Sequence, residues 1–175
     1  MNLNFVKDLF SLKPKYRRIE IESSFEFLMT EDCVRAIGEC IEPEKERGHE
    51  GVSYLFGRTD GFTTLAVGAI RPKSRTTTGS FSVSTVEMAR LVKEIRGNGL
   101  QLISQLHSHP GRAYHSDGDI DGLKLVCNGY VSVVLPEYGN YLPSFEGGVF
   151  YFYRRGNGFK ELEPKNIRII PKRLL

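Results

Sequence analysis

Cysteine is scarce in this chain of 175 residues, and its three copies, Cys33, Cys40 and Cys127, form no C-x-x-C pair. An odd number of widely spaced thiols argues against a disulfide framework and points to a reducing cytoplasm. Long hydrophobic runs are also missing. Nothing approaches the roughly 20 apolar residues that cross a bilayer, so no membrane association is expected. The opening stretch MNLNFVKDLFSLKPKYRR is interrupted by Lys7 and Asp8, which argues against a secretory signal. Charge of one sign is in short supply too. The 24 basic and 21 acidic residues leave a net charge of +3, too little to imply a nucleic-acid partner. Short basic runs do occur, at Lys13, Lys15, Arg17 and Arg18 and again at Arg168, Lys172 and Arg173. They read as solvated surface, with an acidic partner as the sharper alternative.

Several catalytic signatures are absent as well. Without H-E-x-x-H, the helix-borne metalloprotease pattern is excluded. Without P-C-x-x-C, the nucleotide-deaminase site is excluded. No signature of a serine or cysteine nucleophile occurs, and the chain is short for an eightfold barrel.

What is present is ordinary globular material. Hydrophobic residues make up 40% and charged residues 26%, enough for one domain with its own core. Alternation at Ile19, Ile21, Phe25 and Phe27 predicts a strand with a slip near Ser23–Ser24. Thr30 predicts a helix cap, with the helix running to about Ile41 and ending at Pro43. HEGVSYLFGR and FTTLAVGAIRP read as strands joined at a Thr59-Asp60-Gly61 turn. KSRTTTGS reads as a polar loop. Ser84 and Glu87 form a capping-box pattern, opening a helix with Val86, Ala89, Leu91, Val92 and Ile95 inward. LQLISQLHSH is a strand halted by Pro110. Ser116 predicts a further helix of about ten residues, with Ile120, Leu123 and Val126 apolar. YVSVVLP, VFYFYRR and FKELE complete the strands. The expected organisation is a leader at 1–18 packing through Phe5, Leu9 and Phe10, an α/β domain at 19–163 with a mixed sheet, and a basic tail at 164–175.

The stretch HSHPGRAYHSDGD, residues 107–119, concentrates three of the four histidines. His107 and His109 are two apart on a predicted strand, so period two puts both imidazoles on one face. Pro110 turns the chain there, leaving the pair at a strand end where ligands converge. That suits Zn²⁺, which takes imidazole nitrogen and carboxylate oxygen. A third ligand must come from nearby chain. If Ser116 is a helix cap, Asp119 falls in the first helical turn. His115, Asp117 and Asp121 are the other candidates in the stretch. A catalytic site also needs a base beside the metal. Glu50 is the best candidate, at the start of an apolar strand where a buried carboxylate is otherwise costly. The plain alternative makes it one more member of the EPEKERGHE charge run.

Taken together, HEGVSYLFG and QLHSHPGRAYHSDGD resemble the JAMM (MPN-domain) metalloprotease family. Its mark is an upstream Glu on a strand, then H-x-H-P, then S-x-x-D, and the resemblance spans roughly residues 20–155. It implies a single α/β domain, a curved mixed β-sheet flanked by helices and related to the cytidine-deaminase architecture. It also implies that His107, His109 and Asp119 bind Zn²⁺, that Glu50 moves the proton of the attacking water, and that Ser116 helps stabilise the oxyanion. His115 has no ligand role in the pattern. One departure stands out: GRAYH puts five residues between Pro110 and Ser116, where many members have six. The shorter loop resembles a bacterial branch found beside ubiquitin-like conjugation enzymes in antiviral operons, including CBASS and Bil systems. The implied activity is cleavage after the C-terminus of a ubiquitin-like protein, by deconjugation or precursor processing. Activating and conjugating enzymes of the same operon are the implied partners. The extended tail would lie between KSRTTTGSFS and PEYGNYLPSFEGG, with Arg71, Lys73 and Arg75 available to an acidic face. An MPN-type scaffold without catalysis, and a RadC-like domain linked to DNA, are the competing readings. The complete polar set disfavours the first, and the weak net charge disfavours the second.

Overall fold

Phe27 and Met29 point into the core from the strand β1 (Glu26–Thr30), alternating with partly exposed neighbours as a half-covered strand must. The computed structural model describes residues 25–116, 118, 119, 123 and 125–174. The leader, the Ile19–Ile21 alternation, Asp117, Ile120 and Asp121 lie outside the described residues.

Thr30 closes β1 and caps α1 (Glu31–Lys45), its hydroxyl accepting from Cys33 N at 3.1 Å. Cys33, Val34, Ile37, Cys40 and Ile41 form the buried stripe. The helix does not stop at Pro43, as sequence reasoning expects, but runs two residues on, to Lys45. Proline removes its own N–H bond and crowds the carbonyl four residues back, a cost that other contacts must offset. The turn beyond it is held by Glu44, a buried carboxylate that bonds Arg71 at 2.6 Å, Thr76 at 2.6 Å and Arg47 at 3.1 Å.

Next come β2 (Val52–Thr59) and β3 (Thr63–Ile70), joined through the Asp60 turn. There Asp60 Oδ1 accepts from Phe62 N and Thr63 N. β2 carries a register shift beside Gly57, where a Cβ would lie 1.9 Å from Leu65 O, so no side chain fits. The segment expected to be a polar loop is instead a hairpin, β4 (Ser74–Thr77) and β5 (Ser80–Val83). Threonines suit strands, and Thr78-Gly79 permits the tight reversal between them.

Ser84 then caps α2 (Thr85–Gly97), accepting from Glu87 N at 3.1 Å. The box is only half made: the Glu87 carboxylate bonds Lys73 N and Arg90 instead. The inward face is Glu87, Met88, Leu91 and Ile95, rotated from the expected one, and Val86 is exposed. That rotation lets Met88 and Leu91 meet Val52, Tyr54 and Val83.

β6 (Gln101–Ser108), β7 (Val131–Leu135), β8 (Val149–Arg154), β9 (Gly158–Glu161) and β10 (Ile167–Ile170) complete the strands. The main sheet has the order β10-β1-β3-β2-β6-β7-β8-β9. β1 is parallel to β10 and β3, and β6 to β7, while the other pairs are antiparallel. The result is one α/β domain with a curved mixed sheet. α1 packs on one face with Phe27, Leu55 and Leu106, and α2 packs on the other with Tyr54. Residues 164–175, set apart in the sequence as a basic tail, contribute β10 to this sheet beside β1. Of the helix expected from Ser116, Gly118 and Asp119 are helical, whereas 125–127 have no regular structure and Leu125 and Val126 are exposed. Two glycines and three aspartates within residues 117–122 make a poor helix interior.

Candidate metal centre

β6 is a central strand, paired with β2 on one side and β7 on the other. This depth buries His107 completely at its C-terminal end. His109 lies just past the strand, but its N–H still bonds Leu135 O at 2.8 Å and its C=O accepts from Tyr138 N at 2.8 Å. Continued backbone pairing therefore keeps both imidazoles on one face, with their Nε2 atoms 3.2 Å apart.

The β2–β6 register explains Glu50. Val52 pairs with His107, and Gly51 exchanges bonds with Ser108: Ser108 N donates to Gly51 O at 3.0 Å and Ser108 Oγ accepts from Gly51 N at 2.9 Å. One more step along this antiparallel pair sets Glu50 opposite His109. Glu50 is buried, and its backbone N–H donates to Thr77 O of the β4–β5 hairpin at 2.8 Å. Burial is the main cause that pushes its carboxyl up to about 7; nearby His109 pulls it down and Asp119 pushes it up.

Asp119 arrives from the other side of the sequence motif. Ser116 Oγ accepts from Asp119 N at 3.2 Å, while Asp119 Oδ2 accepts from Ser116 N at 2.8 Å and from Ser116 Oγ at 2.7 Å. This reciprocal cap aims Asp119 back over the strand end. Its Oδ1 is 3.1 Å from His107 Nε2 and its Oδ2 is 3.6 Å from His109 Nε2. Burial pushes the Asp119 carboxyl up, but hydrogen bonds with His107, His109 and Ser116 win and hold it well below the usual range. His109 is raised, chiefly by Asp119, and His107 is lowered by burial.

These three residues could hold a metal ion: one ligand atom from each lies within 4.8 Å of the others. The donor set fits. Nitrogens bound about 2.0–2.1 Å from a tetrahedral ion sit roughly 3.3 Å apart, which is close to the observed spacing of the two Nε2 atoms. Two buried imidazole nitrogens facing each other beside a carboxylate need a proton or a cation between them.

Sequence reasoning missed the walls. Phe81 of β5 packs against His107 at 5.0 Å between ring centroids, and Tyr114 meets His109 edge-on at 4.8 Å. With Glu50, Tyr54, Ser116 and Asp119 they line a groove of about 700 Å³. The Thr-Thr-Gly-Ser turn flanked by strand-forming residues was the signal for the hairpin. Asp117 and Asp121 lie outside the described residues. His115 turns away from the cluster, onto Tyr151 and Ser132.

Over 111 residues the chain is 31% identical to the probable metalloprotease y4jG of Sinorhizobium fredii, covering 61% of this chain and 68% of that protein. The chain belongs to this metalloprotease family. No family model matches it. Among solved structures it resembles protein DSY2949 of Desulfitobacterium hafniense, with a TM-score of 0.61 and 19% identity over 83% of this chain and 94% of that one. That likeness speaks for the fold. As a member of a metalloprotease family the chain is expected to need a metal ion, and the His107, His109 and Asp119 cluster could bind it.

Proposed function

We propose that this protein is a zinc-dependent peptidase or isopeptidase of the JAMM type, cutting after the C-terminus of a ubiquitin-like protein. One observation carries the reading: Glu50, His109 and Asp119, drawn from three separate segments, line one groove, and the buried His107 reaches Asp119 from behind it. His107, His109 and Asp119 would hold Zn²⁺. Bound there, the ion would supply Lewis acidity toward the scissile carbonyl and toward water.

Glu50 takes the proton from the attacking water and passes it to the leaving amine, a task suited to a carboxyl poised near neutrality. Ser116 turns its hydroxyl from Asp119 toward the developing oxyanion and stabilises it there. Tyr114 and Phe81 flank the site. β5 pairs with β4 alone among the described strands, so its other edge is open to an extended tail. Lys73 and Arg75, at the start of β4 on the paired side of β5, would serve an acidic partner face, whereas Arg71 is committed to Glu44.

The set of a base and three ligands is complete, which favours catalysis over a silent scaffold. In the cell the substrate would be a ubiquitin-like conjugate or precursor, and the activating and conjugating enzymes would be neighbours in an antiviral operon. The test is direct. Zinc-loaded protein is incubated with a ubiquitin-like protein extended at its C-terminus through a peptide or a lysine isopeptide bond, and products are weighed by mass spectrometry. Cleavage after the terminal residue, abolished in Glu50→Gln, is expected. An intact substrate panel with zinc bound would sink the proposal.

A further inference from the structure

We infer that His115 is a positioning residue: it clamps the short 111–115 loop to the sheet and so presets Asp119 for the metal. The inference rests on His107, His109 and Asp119 being the metal site. His107 and His109 are held by backbone pairing to β2 and β7. Among the described residues, Asp119 has no such strand pairing. It is held by Ser116, and Ser116 follows directly on the 111–115 loop.

Gly111 O accepts from Glu137 N at 2.9 Å at the start of this loop, and His115 ties down its end next to Ser116. Its Nε2 lies 3.1 Å from Ser132 Oγ, and Ser132 is fully buried on β7. Its ring stacks on Tyr151 of β8, with 4.6 Å between centroids and a 17° interplanar angle. Phe159 of β9 closes on its edge at 5.1 Å. The three contacts come from three neighbouring strands, and Ser132 pairs directly with Tyr151 in the sheet. A ring held by stacking on one side, an aromatic edge on another and a hydrogen bond at its tip has little freedom. The next residue, Ser116, gives both its N–H and its hydroxyl to Asp119 Oδ2. The path from sheet to ligand therefore runs from His115 through Ser116 to Asp119.

Supporting contacts of this kind commonly set metal affinity by roughly 10- to 100-fold. The assay is metal affinity, not turnover: Zn²⁺ measured by chelator competition, and Co²⁺ followed through its visible absorption, with thermal unfolding of the metal-free protein as a folding control. His115→Ala should bind roughly 10- to 100-fold more weakly and shift the Co²⁺ spectrum. His115→Phe keeps the stack, His115→Gln keeps a polar tip for Ser132, and each should recover part of the loss. Ser132→Ala, which leaves the ring in place, should give a smaller loss and serves if His115→Ala does not fold. Wild-type affinity and an unchanged Co²⁺ spectrum in His115→Ala would overturn the inference while leaving the metal site standing. Failure of the wild-type protein to bind either metal would overturn the site and this inference together.

Discussion

His107 and His109 face each other through their Nε2 atoms at 3.2 Å, although only His107 belongs to the strand. The spacing matches adjacent ligands of a tetrahedral ion, and Asp119 closes the third side.

Replacing His107 or His109 by alanine should therefore abolish stoichiometric zinc, read by elemental analysis of the purified protein. Asp119→Ala should do the same, and Asp121→Ala should keep zinc. Retention of zinc in Asp119→Ala with loss in Asp121→Ala would move the third ligand to the other register. In the wild type, zinc at about 100 times its dissociation constant should raise unfolding stability by roughly 2.7 kcal/mol.

Glu50→Gln should keep zinc and lose turnover, by roughly 100-fold or more if the residue is the general base. The pH profile supplies a second readout. Burial raises the Glu50 carboxyl to about 7, and only the deprotonated form accepts a proton. Activity should fall as pH drops through this region, with a bound cation drawing the limb to lower pH. A Glu50→Gln variant that turned over normally would remove Glu50 from the chemistry.

Ser116→Ala removes both the cap of Asp119 and a hydroxyl in the groove. Loss of a cap costs about 1 kcal/mol, and zinc affinity should fall by roughly 10-fold or more through Asp119. Unchanged affinity together with unchanged turnover would leave Ser116 with no role at the site.

Glu87 supplies a stability prediction away from the groove. Bonds from Arg90, then from Lys73 N, lower its carboxyl from 4.5 to about 2. Because the folded value is the lower one, the stabilisation is present above about 4.5 and lost as pH falls toward 2. Glu87→Gln should lower stability by about 1–2 kcal/mol at pH 7, and the difference from wild type should shrink in acid. Denaturant titrations at pH 7 and pH 3 test both points.

Gly57→Ala would place a methyl carbon 1.9 Å from Leu65 O, a backbone atom that cannot step aside. A loss of roughly 3 kcal/mol is expected, measured by thermal unfolding. A variant as stable as the wild type would mean that β2 and β3 can separate there.

Much of the site's chemistry was readable along the chain because it is local. H-S-H-P states a strand end, and S-x-x-D states a helix start, since the Ser116 hydroxyl and Asp119 N–H are within reach of each other wherever that turn forms. The capping hydroxyls of Thr30 and Ser84 were readable for the same reason. Pro43 misled, because the bonds that carry α1 past it come from Arg71 and Thr76, far along the sequence. The β4–β5 hairpin was hidden by its polar composition, which resembles a loop until its pairing partner is known. The long helix expected after Ser116 rested on the spacing of Ile120, Leu123 and Val126, a pattern that does not by itself make residues 125–127 helical.

By itself, then, the sequence determined the side chains and their local geometry: two imidazoles on one face at a strand end, and a carboxylate bound to its own helix start. Only the tertiary structure decided which distant groups join them. Glu50 stands opposite His109 because the β2–β6 register runs on through Gly51 and Ser108. Phe81 reaches His107 because a hairpin folds across the strand ends. His115 leaves the cluster because Ser132 and Tyr151 offer it a better-satisfied position on the sheet. Register and cross-strand contacts join residues that lie tens of positions apart, and no local periodicity records them.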